Sequence, residues 1–140
     1  DPRLVRDAHL GSIWEGTSNI VALDVVRAIK REGSLPVLSE HLLGLLGDTA
    51  SITPAYRQAL TDALARAARL AERAAAEGGE KLARQAATGL YNCTTAIAMA
   101  WEAGKTGSNE RLRLSQLALA HRVLPRDPLA ESQVPADWLR

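Results

Sequence analysis

The sequence predicts an all-α fold, a helical bundle, and three observations carry that prediction. The chain is rich in Ala, Leu and Arg and contains no Phe. These are among the strongest helix formers, and a core made from them must be narrow, with helix backbones packed closely. Apolar residues return every three to four positions through most of the chain, the period of a helix with one buried face. Between those stretches stand Ser or Thr caps, first-turn prolines and glycine stops, the punctuation that begins and ends helices.

Asp1-Pro2 reads as an N-cap followed by proline at the first helical position, where its missing N–H costs nothing. The short helix it opens is expected to end near Gly11, and residues 12–16 read as a connecting loop. Thr17 or Ser18 then caps a second helix to about Arg31, with Ile20, Leu23, Val26 and Ile29 on one side. Gly33 is its natural stop. Ser34 caps a third helix with Pro36 in its first turn, a buried stripe of Leu38, Leu42, Leu45 and Leu46, and an end at Gly47. Residues 48–52 form a polar loop.

Thr53-Pro54, a second cap with a first-turn proline, opens what reads as the longest helix, about 24 residues or roughly 36 Å. Tyr56, Leu60, Leu64, Ala67, Ala71 and Ala74 line one face of it. Asp62/Arg66 and Glu77/Lys81 have the spacing of helix-supporting ion pairs, although Gly78-Gly79 interrupts the second. Leu82, Ala86, Leu90, Cys93, Ile97 and Trp101 mark the next helix as far as Gly104. Ser108 caps a last one, with Leu114, Leu117, Ala118, His121 and Leu124 inward. Short connections make the helices after Thr53 neighbours that reverse direction. Pro125, Pro128 and Pro135 hold the tail in irregular form, where Trp138 is an anchor that docks it.

Composition excludes several classes of function. No run of about 18 uncharged apolar residues exists, so no span of a membrane is expected. The start carries no basic-then-apolar signal segment. A single cysteine, Cys93, cannot pair internally, which fits a reducing cytoplasm, and inside a helix it reads as a small buried apolar residue. His9, His41 and His121 have no companion ligand at metal spacing, so no metal site is expected. Residues 54–124 hold 10 basic and 6 acidic side chains, a mild excess. Arg66, Arg69 and Arg73 fall on one helix face there, within a wider set of Arg57, Arg84, Arg111, Arg113 and Arg122, and are the candidate contacts for nucleic acid. Asp62, Glu72 and Glu80 sit among them, the mixture of an ordinary solvated face.

Residues 12–20 carry the clearest chemistry. Glu15 stands between Trp14 and Gly16, just before a helix start. Trp14 and Ile13 can dry the carboxylate and raise its pKa toward a range useful for proton transfer. Gly16 admits a close ligand, and the free N–H groups of the following helix suit an anion. Spacing leaves two readings open: a base beside an anion site, or a glutamate in a capping loop.

Arg6-Asp7-Ala8 followed by Ile13-Trp14-Glu15-Gly16-Thr17-Ser18-Asn19-Ile20 resembles the C-terminal signature of the acyl-CoA dehydrogenase family. With Trp at position 14 and the continuation Val21-Ala22-Leu23-Asp24, it looks most like the bacterial alkylation-response branch. The resemblance covers roughly residues 1–33. It implies that Glu15 is the base that takes the α-proton of an acyl-CoA thioester while flavin N5 accepts the β-hydride. It implies also that Gly16, Thr17 and Asn19 contact FAD. Residues 1–33 would end that family's C-terminal helical domain, 34–124 would be a helical extension, and 125–140 an irregular tail.

The family ordinarily ends soon after this helix. The alkylation-response branch is similar in carrying an extra helical region here, one implicated in binding double-stranded DNA. Opening on Asp1 rather than Met, the chain is expected to be the C-terminal portion of a longer protein. The several hundred residues that would supply most of the flavin pocket are absent from it, so the isolated piece is expected to be inactive. Two alternatives stand beside this: a DNA-binding flavoprotein of the alkylation-response type with little dehydrogenase activity, and an oligomerisation module after Gly33 with Leu/Ala stripes packing on sister subunits. A homo-oligomer is expected.

Overall fold

The computed structural model of the chain describes residues 18–50, 52–125, 129 and 134–139. Every regular element among them is helical: α1 (Ser18–Glu32), α2 (Ser34–Gly47), α3 (Pro54–Ala75), α4 (Ala83–Thr106) and α5 (Asn109–Ala118). A 3₁₀ turn, Glu80–Leu82, leads into α4; a π-helical turn, Leu119–Val123, continues α5; and a second 3₁₀ turn, Ala136–Trp138, stands near the end. The predicted opening helix and the loop at 12–16 lie outside the described residues.

Helix α4 is the centre of the bundle and packs on α1, α2, α3 and α5. Its buried residues are Ala83, Ala86, Leu90, Cys93, Ala96, Ile97, Ala100 and Ala103, five of them alanine. Small side chains around so much of the helix let four neighbours approach it. A Cβ built on Gly89 would sit 3.8 Å from Ala67 Cβ, which marks how closely α3 and α4 lie. The predicted face of α3 is confirmed residue by residue: Tyr56, Leu60, Leu64, Ala67, Ala71 and Ala74 are all buried. Thr53 Oγ1 accepts from Tyr56 N at 3.1 Å, and Ser108 Oγ accepts from Arg111 N at 3.3 Å, so both predicted caps form.

Several expectations are corrected. Helix α4, with 24 residues, is longer than α3 with 22. It runs past Gly104 to Thr106, because the stop is Gly107, at φ +70°, whose N–H bonds back to Ala103 O. Ser34 does not cap α2. Gly33, at φ +61°, occupies that place and is the single residue between α1 and α2. A left-handed glycine ends one helix and turns straight into the next.

Two helix faces are rotated from their predicted positions. On α1 the inward residues are Ala22, Val25, Val26 and Ile29, while Ile20 and Leu23 face out. On α5, Ser115 and Gln116 are buried with Leu119, and Leu114 and Leu117 face out. The stripe at 112, 115, 116 and 119 has the same period as the stripe at 114, 117, 118 and 121. It wins because Ser115 and Gln116 find buried hydrogen-bond partners, Tyr56 and Ala96 O for one and Trp138 O for the other. A buried polar group so satisfied is tolerated, and hydropathy alone does not foresee it.

The connection between α2 and α3 is held by charge. Arg57 donates to Leu46 O and Thr49 O, carbonyls at and just beyond the end of α2. A cation on the carbonyl end of a helix complements its dipole. Asp48, just past α2, accepts from Lys105 Nζ at 2.6 Å and from Trp101 Nε1 at 3.3 Å, tying α2 to the end of α4. Asp62 accepts from Gln58 at 2.9 Å rather than pairing with Arg66. The tail has a docked end as predicted, with Trp138 buried against Tyr56.

Candidate functional site

The residues that carry most of the sequence-level chemistry, Glu15, Gly16 and Thr17, lie outside the described residues, as does His9. Asn19 is described. It stands in the first turn of α1, exposed, in a turn with no acidic side chain. The first-turn N–H groups of a helix have no partner within the helix and suit an acceptor. Asn19 shares a shallow cavity of about 390 Å³ with Ala22, Leu23, Glu80, Lys81, Ala83 and Arg84. The start of α1 therefore faces the turn that leads into α4, with Glu80 and Lys81 of that turn and Arg84 of α4 beside it.

Lys81 and Arg84 also line a second, larger cavity of about 670 Å³ between α3, α4 and the π-helical turn. Its floor is apolar, with Ala63, Ala67, Leu70 and Val123, and its polar residues are Arg66, Lys81, Arg84, Gln85, Thr88 and Arg122. No acidic side chain lines it. The geometry is set by the chain between α3 and α4. Gly79 is buried, and a Cβ there would come within 2.1 Å of Arg73 O and 2.8 Å of Ala74 O. That closeness folds Lys81 and Arg84 back toward the helix that bears Arg66. Arg122 comes from the opposite wall, on the π turn.

The predicted nucleic-acid contacts divide. Arg66 belongs to the basic groove and to an adjoining hollow of about 530 Å³, where Arg69 and Asp62 also stand. Arg73 lines neither. Of the wider set, Arg57 is engaged with carbonyls near the end of α2, Arg111 pairs with Glu102 at 3.4 Å, and Arg113 borders the cavity under Trp138. The arginines do not form one continuous stripe. Lys81 is the residue that the sequence reading missed. Its signal was the Gly78-Gly79 break, which turns the chain so that a residue on the far side of the break rejoins the preceding helix.

Cys93 is buried, and desolvation pushes its thiol up to about 11 although the Arg66 charge acts in the opposite sense. It is an inert core residue, as expected. His41 is exposed, and His121 is half-buried on a hollow with Tyr91, Met99, Leu114 and Leu117. Among the described residues no group of three His, Cys, Asp or Glu is placed to hold a metal ion, and no helix is long and apolar enough to cross a membrane.

Comparison with known proteins supplies what geometry does not. The "Acyl-CoA dehydrogenase family member 11" of Caenorhabditis elegans is 43% identical over 49 residues, 34% of this chain and 8% of that protein. The "Putative acyl-CoA dehydrogenase AidB" of Escherichia coli (strain K12) is 40% identical over 58 residues, 41% of this chain and 11% of that protein. The resemblance is to the acyl-CoA dehydrogenase family. Both partial relatives of this chain carry that family's name, and the expectation drawn from residues 6–8 and 13–20 pointed to the same family. The chain spans about a tenth of the length of the curated relatives it matches. No family model and no solved structure matches it.

Proposed function

We propose that this chain is the C-terminal part of an FAD-dependent protein with acyl-CoA dehydrogenase chemistry, and that Glu15 is its base. Two observations, both drawn from the sequence, support the reading. The Trp14-Glu15-Gly16-Thr17 sequence has the residue types that α-proton abstraction needs, and relatives 40–43% identical over part of the chain bear the name of that activity. In this reading Glu15 removes the α-proton of an acyl-CoA thioester as the β-hydride leaves, and a double bond forms between the two carbons. Bound flavin supplies the acceptor for the hydride.

The chain's own share is to hold and orient. Asn19 and the N–H groups of α1's first turn suit the acceptor edge of a flavin, and no acid in that turn opposes it. Gly16 and Thr17 complete the contact. The 140-residue chain alone is expected to retain no flavin, since the remainder of such a site lies in the rest of the longer protein. Acyl-CoA added to that full-length protein should bleach its flavin absorbance. Glu15→Gln should abolish the bleaching while leaving flavin bound. Bleaching at an undiminished rate in the glutamine variant would end the assignment of Glu15.

A second reading, that the region after Gly33 also serves self-association, is favoured by one observation. Leu114 and Leu117 are 41% and 43% exposed, and with Met99 and the 70%-exposed Tyr91 they border a hollow of about 690 Å³. Large apolar side chains grouped on an exposed face suit an interface, here beside the polar Asn92, Thr95 and His121. A second copy of the chain is the proposed occupant. Leu114→Ser with Leu117→Ser should lower the mass seen by light scattering, and an unchanged mass would dismiss this reading.

A further inference from the structure

The basic groove between α3, α4 and the π-helical turn is assigned no role by either reading above, although Lys81 and Arg84 also border the Asn19 cavity and Thr88 and Arg122 the self-association hollow. We propose that it binds a compact polyanion, the diphosphate group of a small ligand. Four cations from four separate segments converge on it: Arg66 from α3, Lys81 from the 3₁₀ turn, Arg84 from α4 and Arg122 from the π turn. Among the described residues none of the four is in an ion pair; the pairs that form are Arg27–Asp24, Lys105–Asp48 and Arg111–Glu102. Asp62 lines an adjoining hollow that Arg66 shares, and Glu80 one that Lys81 and Arg84 share, but neither acid lines the groove.

Four like charges around one hollow repel each other, and a walled cleft focuses their field on whatever anion enters. Guanidinium groups bind phosphate oxygens in pairs of hydrogen bonds, and Lys adds a point charge. Gln85 and Thr88 supply further donors on the same wall. The π turn is a second and independent pointer. Such turns are rare and concentrate at functional sites, and this one carries Arg122 and Val123 into the groove.

The shape selects the ligand. A volume of about 670 Å³ falls inside the range of roughly 300–1,000 Å³ typical of small-molecule sites. Convergent cations in a hollow serve a ligand whose charge is compact. A duplex needs cations spread along an accessible ridge; among the described residues Arg57 and Arg111 are engaged elsewhere, and Arg73 stands outside the groove. No aromatic side chain lines the groove, so a stacked base contributes nothing, and the apolar floor of Ala63, Ala67, Leu70 and Val123 takes the body of the ligand. This inference is independent of the flavin reading and stands or falls without it.

The test is calorimetric titration of the 140-residue chain, in buffer free of phosphate, with inorganic pyrophosphate, ADP and a duplex oligonucleotide as probes. Saturable binding of pyrophosphate or ADP is expected with Kd below about 1 mM. Tighter binding of ADP identifies a nucleotide as the source of the diphosphate, and equal binding identifies the free diphosphate. Arg84→Gln and Arg122→Gln should each weaken binding by about ten-fold or more, the loss of a charge-assisted hydrogen bond. Arg31→Gln, on the exposed end of α1, should leave it unchanged. The amide resonances of Gln85, Thr88 and Gly89 should move on titration. Absence of saturable binding, equal weakening by Arg31→Gln, or a duplex that binds and is not displaced by pyrophosphate would each overturn the proposal.

Discussion

The Tyr56 hydroxyl lies 2.6 Å from Ser115 Oγ, and a second bond fixes the direction of the first. Ser115 Oγ is also 2.5 Å from Ala96 O. A carbonyl only accepts, so the single proton of the serine goes to Ala96, and Tyr56 must be the donor to Ser115. Both residues are fully buried, and burial raises the Tyr56 pKa far above its ordinary value, which keeps the phenol protonated. One chain of hydrogen bonds thus joins α3, α5 and α4 at a point that water does not reach.

The direction of that chain makes its two ends unequal. Ser115→Ala leaves a buried phenol with no acceptor and should cost about 1–3 kcal/mol, whereas Tyr56→Phe leaves Ser115 still bonded to Ala96 and should cost about 0.5–1.5 kcal/mol from the hydrogen bond. Urea unfolding of the two variants gives the comparison. A larger loss for Tyr56→Phe would reverse the donor assignment.

Trp138 closes the same region from the tail. Its ring centroid is 4.8 Å from that of Tyr56 at an interplanar angle of 49°, and its carbonyl accepts from Gln116 Nε2 at 2.8 Å. Trp138→Ala should cost about 3 kcal/mol or more, the usual loss for emptying a buried aromatic site. Trp138→Phe, which keeps a ring on Tyr56, should cost much less. Fluorescence supplies the check that the ring is docked: the blue-shifted part of the tryptophan emission should vanish in Trp138→Ala. An unshifted spectrum in that variant would mean that the tail is not held in solution.

The helices are legible in the amino-acid sequence and their buried faces only unevenly so, and the difference has a physical cause. The α3 face was legible because Tyr56, Leu60 and Leu64, three of the four large apolar side chains of that helix, stand on one stripe with Ala67, Ala71 and Ala74. On α5 two stripes share one period, and hydropathy favoured Leu114 and Leu117 over Ser115 and Gln116. What decided the outcome, Tyr56 and the Trp138 carbonyl, lies 59 positions away in one direction and 22 in the other. The α4 stop was misplaced from Gly107 to Gly104 because both are glycines, and only one stands at φ +70°. The basic groove was illegible for a similar reason. Arg66, Lys81, Arg84 and Arg122 share no period, and a turn at Gly79 together with a π turn at 119–123 brings them together.

Asp48 gives the bundle a specific response to acid. Hydrogen bonds from Lys105 and Trp101, with the Lys105 charge, hold its carboxyl below the ordinary carboxylate pKa. A folded-state pKa below the unfolded one means that the contribution is fully present above the unfolded value and is lost as pH falls through the folded value. The midpoint of thermal unfolding should therefore fall more on acidification in the parent chain than in Asp48→Asn, with the two curves converging below about pH 4. Because the site is exposed, the gap at neutral pH should shrink in about 1 M salt. Parallel pH profiles would show that the Asp48–Lys105 pair is not formed in solution.

Gly78 and Gly79 are adjacent, and they should respond oppositely to what their backbone angles alone imply. Gly78 has φ +70° with nothing within 4 Å of an added Cβ, so Gly78→Ala meets only the backbone penalty, about 1 kcal/mol. Gly79 has an ordinary φ of −84°, yet a Cβ there would lie 2.1 Å from Arg73 O. The obstacle is backbone and cannot rotate away. Gly79→Ala must prise the turn from the end of α3, and a loss of about 3 kcal/mol or more is expected, in the range reserved for named steric faults. The same movement carries Lys81 and Arg84 away from Arg66, so pyrophosphate binding should weaken in Gly79→Ala and persist in Gly78→Ala. Thermal unfolding and calorimetric titration of the pair read the two effects separately. If both variants kept full affinity while only Gly79→Ala lost stability, the turn would be a structural joint without a part in shaping the groove.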